Sequence, residues 1–304
     1  MRAEDAPEIR LANACLLTLI RERLGLLRVD VDRGAIEMTE TLGAWRPFTT
    51  VPSAVAQQVA DRLRLMAMIP PLPEHEPVTG RITIVLPDAR HRFEAFSFHR
   101  SRNLVVVRFL SAALLERTWP WPDPPRPEPE PLERGRALFE GGDLDGAMGV
   151  LRDYAAEAPA GPESLTAFAL MAAVANEQGH LRVRLMIDEE RLAHARKVPG
   201  AAYDVIEGLL FTGDVRREEG DLVAAEARVV EALELAREVQ PGLPLHLGSL
   251  ELLEEIRKAR GDSGGAADAA REHERWEERL VRCPAEPDAP RVLPAVKGIV
   301  PDDE

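Results

Sequence analysis

Arginine is the residue this sequence offers most readily for chemistry. Arg90, Arg92, Arg100 and Arg102 flank one strand-like segment, and Arg108 sits in the next. Guanidinium groups grip carboxylates and phosphates through planar, forked hydrogen bonds, so such a cluster suits an acidic partner. Stacking platforms for nucleic-acid bases need exposed aromatic side chains among the cations, and none is expected here; a protein partner or an intramolecular contact is favoured. An ordinary solvated set of arginines explains the cluster equally well. His75, His91 and His99 stand near Glu74, Glu76 and Glu94. On one straight strand, however, His91 and His99 lie more than about 20 Å apart, too far to share a metal. No metal site and no cofactor are predicted. The pairs Glu189-Glu190 and Glu254-Glu255 occur on arginine-rich helices, where i,i+4 pairing accounts for them. With no Gly-x-Ser-x-Gly elbow and no converging acid–base pair, no catalytic residue is assigned. Trp276, within Glu274-Arg275-Trp276-Glu277-Glu278, packs the last helix on its neighbour or, if exposed, marks a docking patch.

The elements that must carry these residues fall into two regions. From Ile9 to Leu24, Leu11, Cys15, Leu16, Leu19 and Ile20 recur at helical spacing. Leu26 to Val31 and Ala35 to Met38 then read as a hairpin around Asp32-Arg33-Gly34. Pro52 opens a second helix with Val55, Val59, Leu63 and Met66 on one face, which Pro70-Pro71-Leu72-Pro73 ends. Strands are predicted over Arg81 to Leu86, His91 to Phe98 and Leu104 to Leu110. Trp119 to Pro131 alternates proline with acidic residues, which suits a solvated polyproline-II spacer; a ligand for a proline-recognising domain is the sharper alternative.

From Leu132 the pattern becomes helix, glycine turn, helix. The turns Gly142-Asp143-Leu144, Gly179-His180-Leu181, Gly220-Asp221-Leu222 and Gly261-Asp262-Ser263 are 37, 41 and 41 residues apart. Stacked hairpins of tetratricopeptide type repeat at about 34 residues. After Gly142 come Ala147, Leu151 and Pro159, and after Gly220 come Ala225, Val229 and Ala232. These are the offsets at which such repeats place the residues that lock their second helix. After Gly179 the first offset holds Arg184, and Gly261 begins Gly-Asp-Ser-Gly-Gly, so these two units are expected to be degenerate or to cap the stack.

Composition bounds the alternatives. The 304 residues are 45% hydrophobic and 30% charged, ordinary for globular domains. Residues 1–117 hold 16 Arg, no Lys and 14 Asp and Glu, a net of +2; with −14 over the whole chain, the remainder carries −16 and repels nucleic acid. No run is long and apolar enough to span a membrane, and the acidic, proline-bearing start lacks the basic region of a signal peptide. Cys15 and Cys283 show no paired spacing, and Cys15 is read as a buried thiol. A cytoplasmic protein is expected.

Five stretches of the first region carry a family resemblance: Ala6 to Asn13, Val31-Asp32-Arg33-Gly34, Leu63 to Ile69, Pro77 to Ile82 and Asn103 to Leu110. In order and spacing, over about 105 residues, they resemble the second N-terminal domain of the ATPases of type II secretion and type IV pilus assembly. The resemblance implies a small α/β domain and a secretion or pilus component as partner. Two arginines of that family are held to reach nucleotide. Arg108 matches one, while the other falls on Glu94, which would repel a phosphate. The family's Gly-Glu pair is here Arg102-Asn103, and Leu26 to Val31 replace its acidic, histidine-bearing segment. No lysine follows a glycine, so the chain has no Walker A loop with which to hydrolyse nucleotide.

The expectation is therefore an α+β protein: a small mixed α/β domain over residues 1–117, a proline-rich linker over 118–131, an all-α tetratricopeptide-like solenoid over 132–282 and a proline-rich acidic tail over 283–304. Its expected function is that of a non-enzymatic adaptor or scaffold for protein partners in pilus or secretion machinery. One alternative is a regulatory domain that binds ATP or a cyclic dinucleotide without cleaving it, and another is a scaffold closed by docking of its basic edge on the acidic remainder.

Overall fold

Alternation of apolar residues along β1 (Leu26–Asp30), β2 (Ala35–Thr39) and β6 (Leu104–Phe109) gives each strand one face rich in Leu, Val, Ile and Met. In the computed structural model, which describes residues 6–40, 42–69, 78–87, 89–98, 103–119 and 129–281, these strands join β3 (Arg46–Thr50), β4 (Val78–Val85) and β5 (Arg90–Phe98). All six form one antiparallel sheet in the order β3-β2-β1-β6-β5-β4. Helices α1 (Pro7–Arg21) and α2 (Ser53–Met66) bring Leu16, Leu19, Val59 and Leu63 onto Leu27, Val29, Phe93 and Val107, all fully buried. Cys15 lies in this core, and burial pushes its thiol up to about 12. β3 had no sequence signal because Pro47 breaks its alternation. At the sheet edge its missing N–H leaves no inner ladder bond unmade.

The chain divides into two compact units. The first comprises residues 1–110 with those from Glu278 onward, and the second runs from Ser111 to Glu277. In the first unit Arg64 of α2 is buried and donates to Ser97 Oγ at 2.9 Å and to Asn103 Oδ1 at 3.3 Å, fixing the helix against the β5 and β6 ends. Two carbonyls in the last turn of a helix take side-chain donors: Leu280 O accepts from Arg28 Nη1 at 2.7 Å and Arg279 O from Trp45 Nε1 at 2.9 Å.

The second unit is helical. It begins with α3 (Ala112–Thr118), capped by Ser111, whose Arg117 pairs with Glu238 at 2.5 Å. Among the described residues four hairpins follow: α4 (Glu130–Glu140) with α5 (Leu144–Glu157), α6 (Pro162–Glu177) with α7 (Leu181–Ala195), α8 (Ala202–Glu218) with α9 (Leu222–Val239), and α10 (Pro244–Arg260) with α11 (Ser263–Val281). Each hairpin turns at a glycine in the left-handed region, φ between 70° and 84°. The aspartate after it caps the second helix in three of the four: Asp143, Asp221 and Asp262 accept from the backbone N–H three residues on. His180 holds that place before α7 and makes no such cap. The Gly261 turn, expected to be degenerate or to cap the stack, closes a full hairpin with a helix of 19 residues, the last of the described hairpins.

Candidate functional site

In the first and third hairpins the second helix is locked as expected, with Ala147, Leu151, Ala225, Val229 and Ala232 all at zero exposure. Gly135 and Gly213 open the facing helices to receive Leu151 and Val229. The same three offsets on α7 hold Arg184, Asp188 and Arg191, so charge takes the positions that are apolar in the first and third hairpins. Arg184 lies flat on the Phe211 ring of α8 at 3.7 Å, donates to Asn176 Oδ1 at 2.6 Å and approaches Asp188 at 3.5 Å. Arg191 reaches Asp204 at 2.5 Å and Glu207 at 3.1 Å, both on α8. Burial opposes the Arg191 charge, but Glu207 and Asp204 outweigh it and raise its pKa. Asp188 is only 3% exposed; desolvation wins over Arg191 and Arg184 there, and its pKa is raised.

Ile187, Leu192 and Ala195 of α7 are buried beside Asp188, while Val183 and Met186 lie outward. Val183 is 38% and Met186 66% exposed, and together with Ile187 they form one wall of a groove of about 890 Å³. The facing wall is Met148 and Ala155 of α5, and Phe168 and Met171 of α6 make the floor. Arg152 and Lys197 stand at the rim, with His194 and one acid, Glu190. His194 presents its ring edge to Phe168, centroids 4.9 Å apart. Leu181, two residues before Val183, is also exposed. Arg184 marked this repeat as irregular in the sequence; reading the two further offsets, Asp188 and Arg191, would have revealed the displaced apolar face.

Of the arginines singled out in the sequence, Arg90, Arg92 and Arg108 fall among the described residues. Arg90 and Arg92 lie at the start of β5, opposite Val85 and Thr83 of β4. Arg100 and Arg102 lie outside the described residues. Arg108 is 6% exposed and is held by Glu94, directly opposite in the ladder, with Nε at 3.1 Å and Nη2 at 2.5 Å from Oε2. Arg28 and Glu37 repeat the arrangement between β1 and β2, and the Trp45 ring stacks on the Arg28 guanidinium at 4.5 Å. His91 packs toward the Phe109 ring, whereas His75, His99 and the proline-rich spacer from 120 to 128 lie outside the described residues. Trp276 is partly buried against α10, edge-on to His246 with centroids at 5.5 Å. Among the described residues no three His, Cys, Asp or Glu side chains converge on a metal position, and no helix is long and apolar enough to cross a membrane.

Fold and groove together define an α+β chain that joins an antiparallel-sheet unit to a stack of tetratricopeptide-like hairpins. No family model matches the sequence, and no curated relative matches it. Among solved structures it is similar to BtubC (BKLC) from P. vanneervenii, at 15% identity and a TM-score of 0.44, over 51% of this chain and 65% of that one, just under two thirds of its length. It is also similar to a putative kinesin light chain with nearly identical TPR-like repeats from Podospora anserina, at 16% identity and a TM-score of 0.24, over 50% of this chain and 96% of that one. A singly substituted form of that kinesin light chain gives 16% identity and a TM-score of 0.26, over 50% of this chain and 95% of that one. Scores this low add nothing to the fold described above.

Proposed function

We propose that this chain is a non-enzymatic adaptor that binds protein partners through its helical stack. The observation carrying this reading is the apolar groove along α7, where Val183 and Met186 are exposed while Arg184, Asp188 and Arg191 take the three locking offsets. Exposed methionine and valine beside unpaired rim cations are costly features for an isolated monomer and useful ones for a docking surface. The partner's pathway is assigned from the resemblance of the first 105 residues, which points to pilus assembly or type II secretion. Affinity capture on the full chain from the native cytosol, with disruption of its gene, tests that assignment. Recovery of a pilus or secretion component together with a motility or secretion defect is expected; neither, with both processes intact, refutes the pathway.

For the alternative, nucleotide binding without hydrolysis, the arginine that the resemblance offers is committed to Glu94 inside the sheet unit. Releasing it would strand a carboxylate of 1% exposure. Calorimetry with ATP and with cyclic dinucleotides is expected to give no heat of binding, and a saturable heat would restore that alternative.

A further inference from the structure

We propose that the groove between α5 and α7 receives an amphipathic helix of a partner protein, apolar on the face that enters and acidic along its flanks. This rests on the adaptor reading and adds the chemistry of the partner.

The shape argues for a helix. α5 has 14 residues and α7 15, about 21 Å each at 1.5 Å per residue, so four turns of a guest helix match the walls. Val183, Met186 and Ile187 recur at the i, i+3, i+4 spacing of one helix face, and Met148 and Met171 add side chains that adapt to a guest's ridges. Such a guest covers Val183 and Met186, the apolar groove residues of α7 that are exposed.

Charge decides the flanks. Over the last two hairpins several arginines are spent internally: Arg228 holds Glu189, Arg237 holds Glu272, and Arg257 and Arg260 share Glu226. Arg152 and Lys197 differ, for both are exposed and neither has an acidic partner among the described residues. In a chain of net charge −14, two unpaired cations bordering an apolar floor form a local positive site. Glu190, the one acid of the lining, requires a neutral or basic residue opposite it and so orients the guest.

A phage library of 16-residue helical peptides, panned on the full chain, tests this directly. Enriched sequences are expected to carry apolar residues at i, i+3, i+4 and i+7 with Asp or Glu on the flanks. A synthetic representative should bind Met186→Glu, and separately the double variant Arg152→Glu with Lys197→Glu, at least about tenfold more weakly than the unchanged protein. All three substituted residues are exposed, so circular dichroism and melting should not change. The loss in the double variant should shrink in 1 M salt, where the Debye length falls to about 3 Å. Enriched peptides without acidic flanks, or ones that bind Met186→Glu undiminished, overturn the proposal while leaving an adaptor that uses another face. No enrichment on any form removes both readings. A dimer in sedimentation that Met186→Glu abolishes would make the groove a contact between copies of this chain and overturn the partner helix.

Discussion

Acidification should loosen the last hairpin through a single buried imidazole. His246 on α10 has no exposed surface; its Nδ1 accepts from the Gly242 N–H at 2.9 Å, which leaves the proton on Nε2, facing Glu272 Oε1 of α11 at 3.5 Å. Four groups surround it: Glu272, Arg237 of α9, His273, and Trp276, whose ring it meets edge-on. Desolvation is the largest influence and disfavours the imidazolium. Glu272 pulls the other way, and Arg237 and His273 repel the added charge; together they lower the pKa from 6.5 to about 4. Burial alone would raise the pKa of Glu272, but the hydrogen bond and charge of Arg237 and the nearby His246 outweigh it, so the carboxylate stays ionised through most of this range. The sign follows from linkage. Above pH 6.5 the ring is neutral in both the folded and the unfolded chain, and stability does not respond to it. Between 6.5 and about 4 the unfolded chain binds a proton that the folded one refuses, so stability falls as pH falls. At 1.36 kcal/mol per unit the loss approaches about 3 kcal/mol near pH 4. Asn at this position keeps an acceptor for Gly242 and cannot titrate. Urea unfolding of the unchanged chain and of His246→Asn, followed by circular dichroism at pH 7, 6, 5 and 4, isolates the contribution as the difference between them. That difference should favour the unchanged chain at pH 7 and shrink or reverse toward pH 4; a gap constant across the range refutes the assignment.

Gly135→Ala should destabilise by about 1–3 kcal/mol, although alanine normally favours a helix, because its Cβ would lie 2.6 Å from Leu151 Cδ2 in the packed hairpin. Gly149→Ala, on the same hairpin with nothing within 4 Å, should stabilise by about 0.5–1 kcal/mol; opposite melting shifts for the two check the packing. Asp188→Asn should keep or raise the melting temperature at pH 7, since a raised pKa means ionising this carboxylate opposes folding, and the gain should vanish once the pH falls below the carboxyl's own titration. A marked loss at pH 7 would instead make the carboxylate a net anchor of α7.

The helical half was legible because two local signals agree at most of its hairpins. Glycine supplies the left-handed turn, and the aspartate after it caps the next helix. The sheet was nearly as legible, since five of its strands show apolar runs or alternation. β3 escaped because Arg46–Thr50 carries Pro47 and one apolar side chain of any size, Phe48, so the edge position and not the residue pattern makes it a strand. The ladder partners were not legible either. Glu94 read as a residue hostile to phosphate beside an arginine available for it. Register places the two opposite each other, and the pair neutralises itself. A one-dimensional reading sees charges as surface chemistry; the sheet converts Arg28, Glu37, Glu94 and Arg108 into interior pairs.

The groove shows the converse failure. Sequence periodicity identifies a repeat by where it conforms, so a unit that departs at its locking positions is read as a weak copy. Arg184 and Arg191 are not weak in energetic terms. Arg191 binds Asp204 and Glu207 on α8 and Arg184 covers the Phe211 ring, while Val183 and Met186 face outward. Val183 and Met186 of this hairpin, with Met148 and Ala155 of α5, border a groove at the length of a helix. The irregular repeat is therefore where we propose that a partner docks.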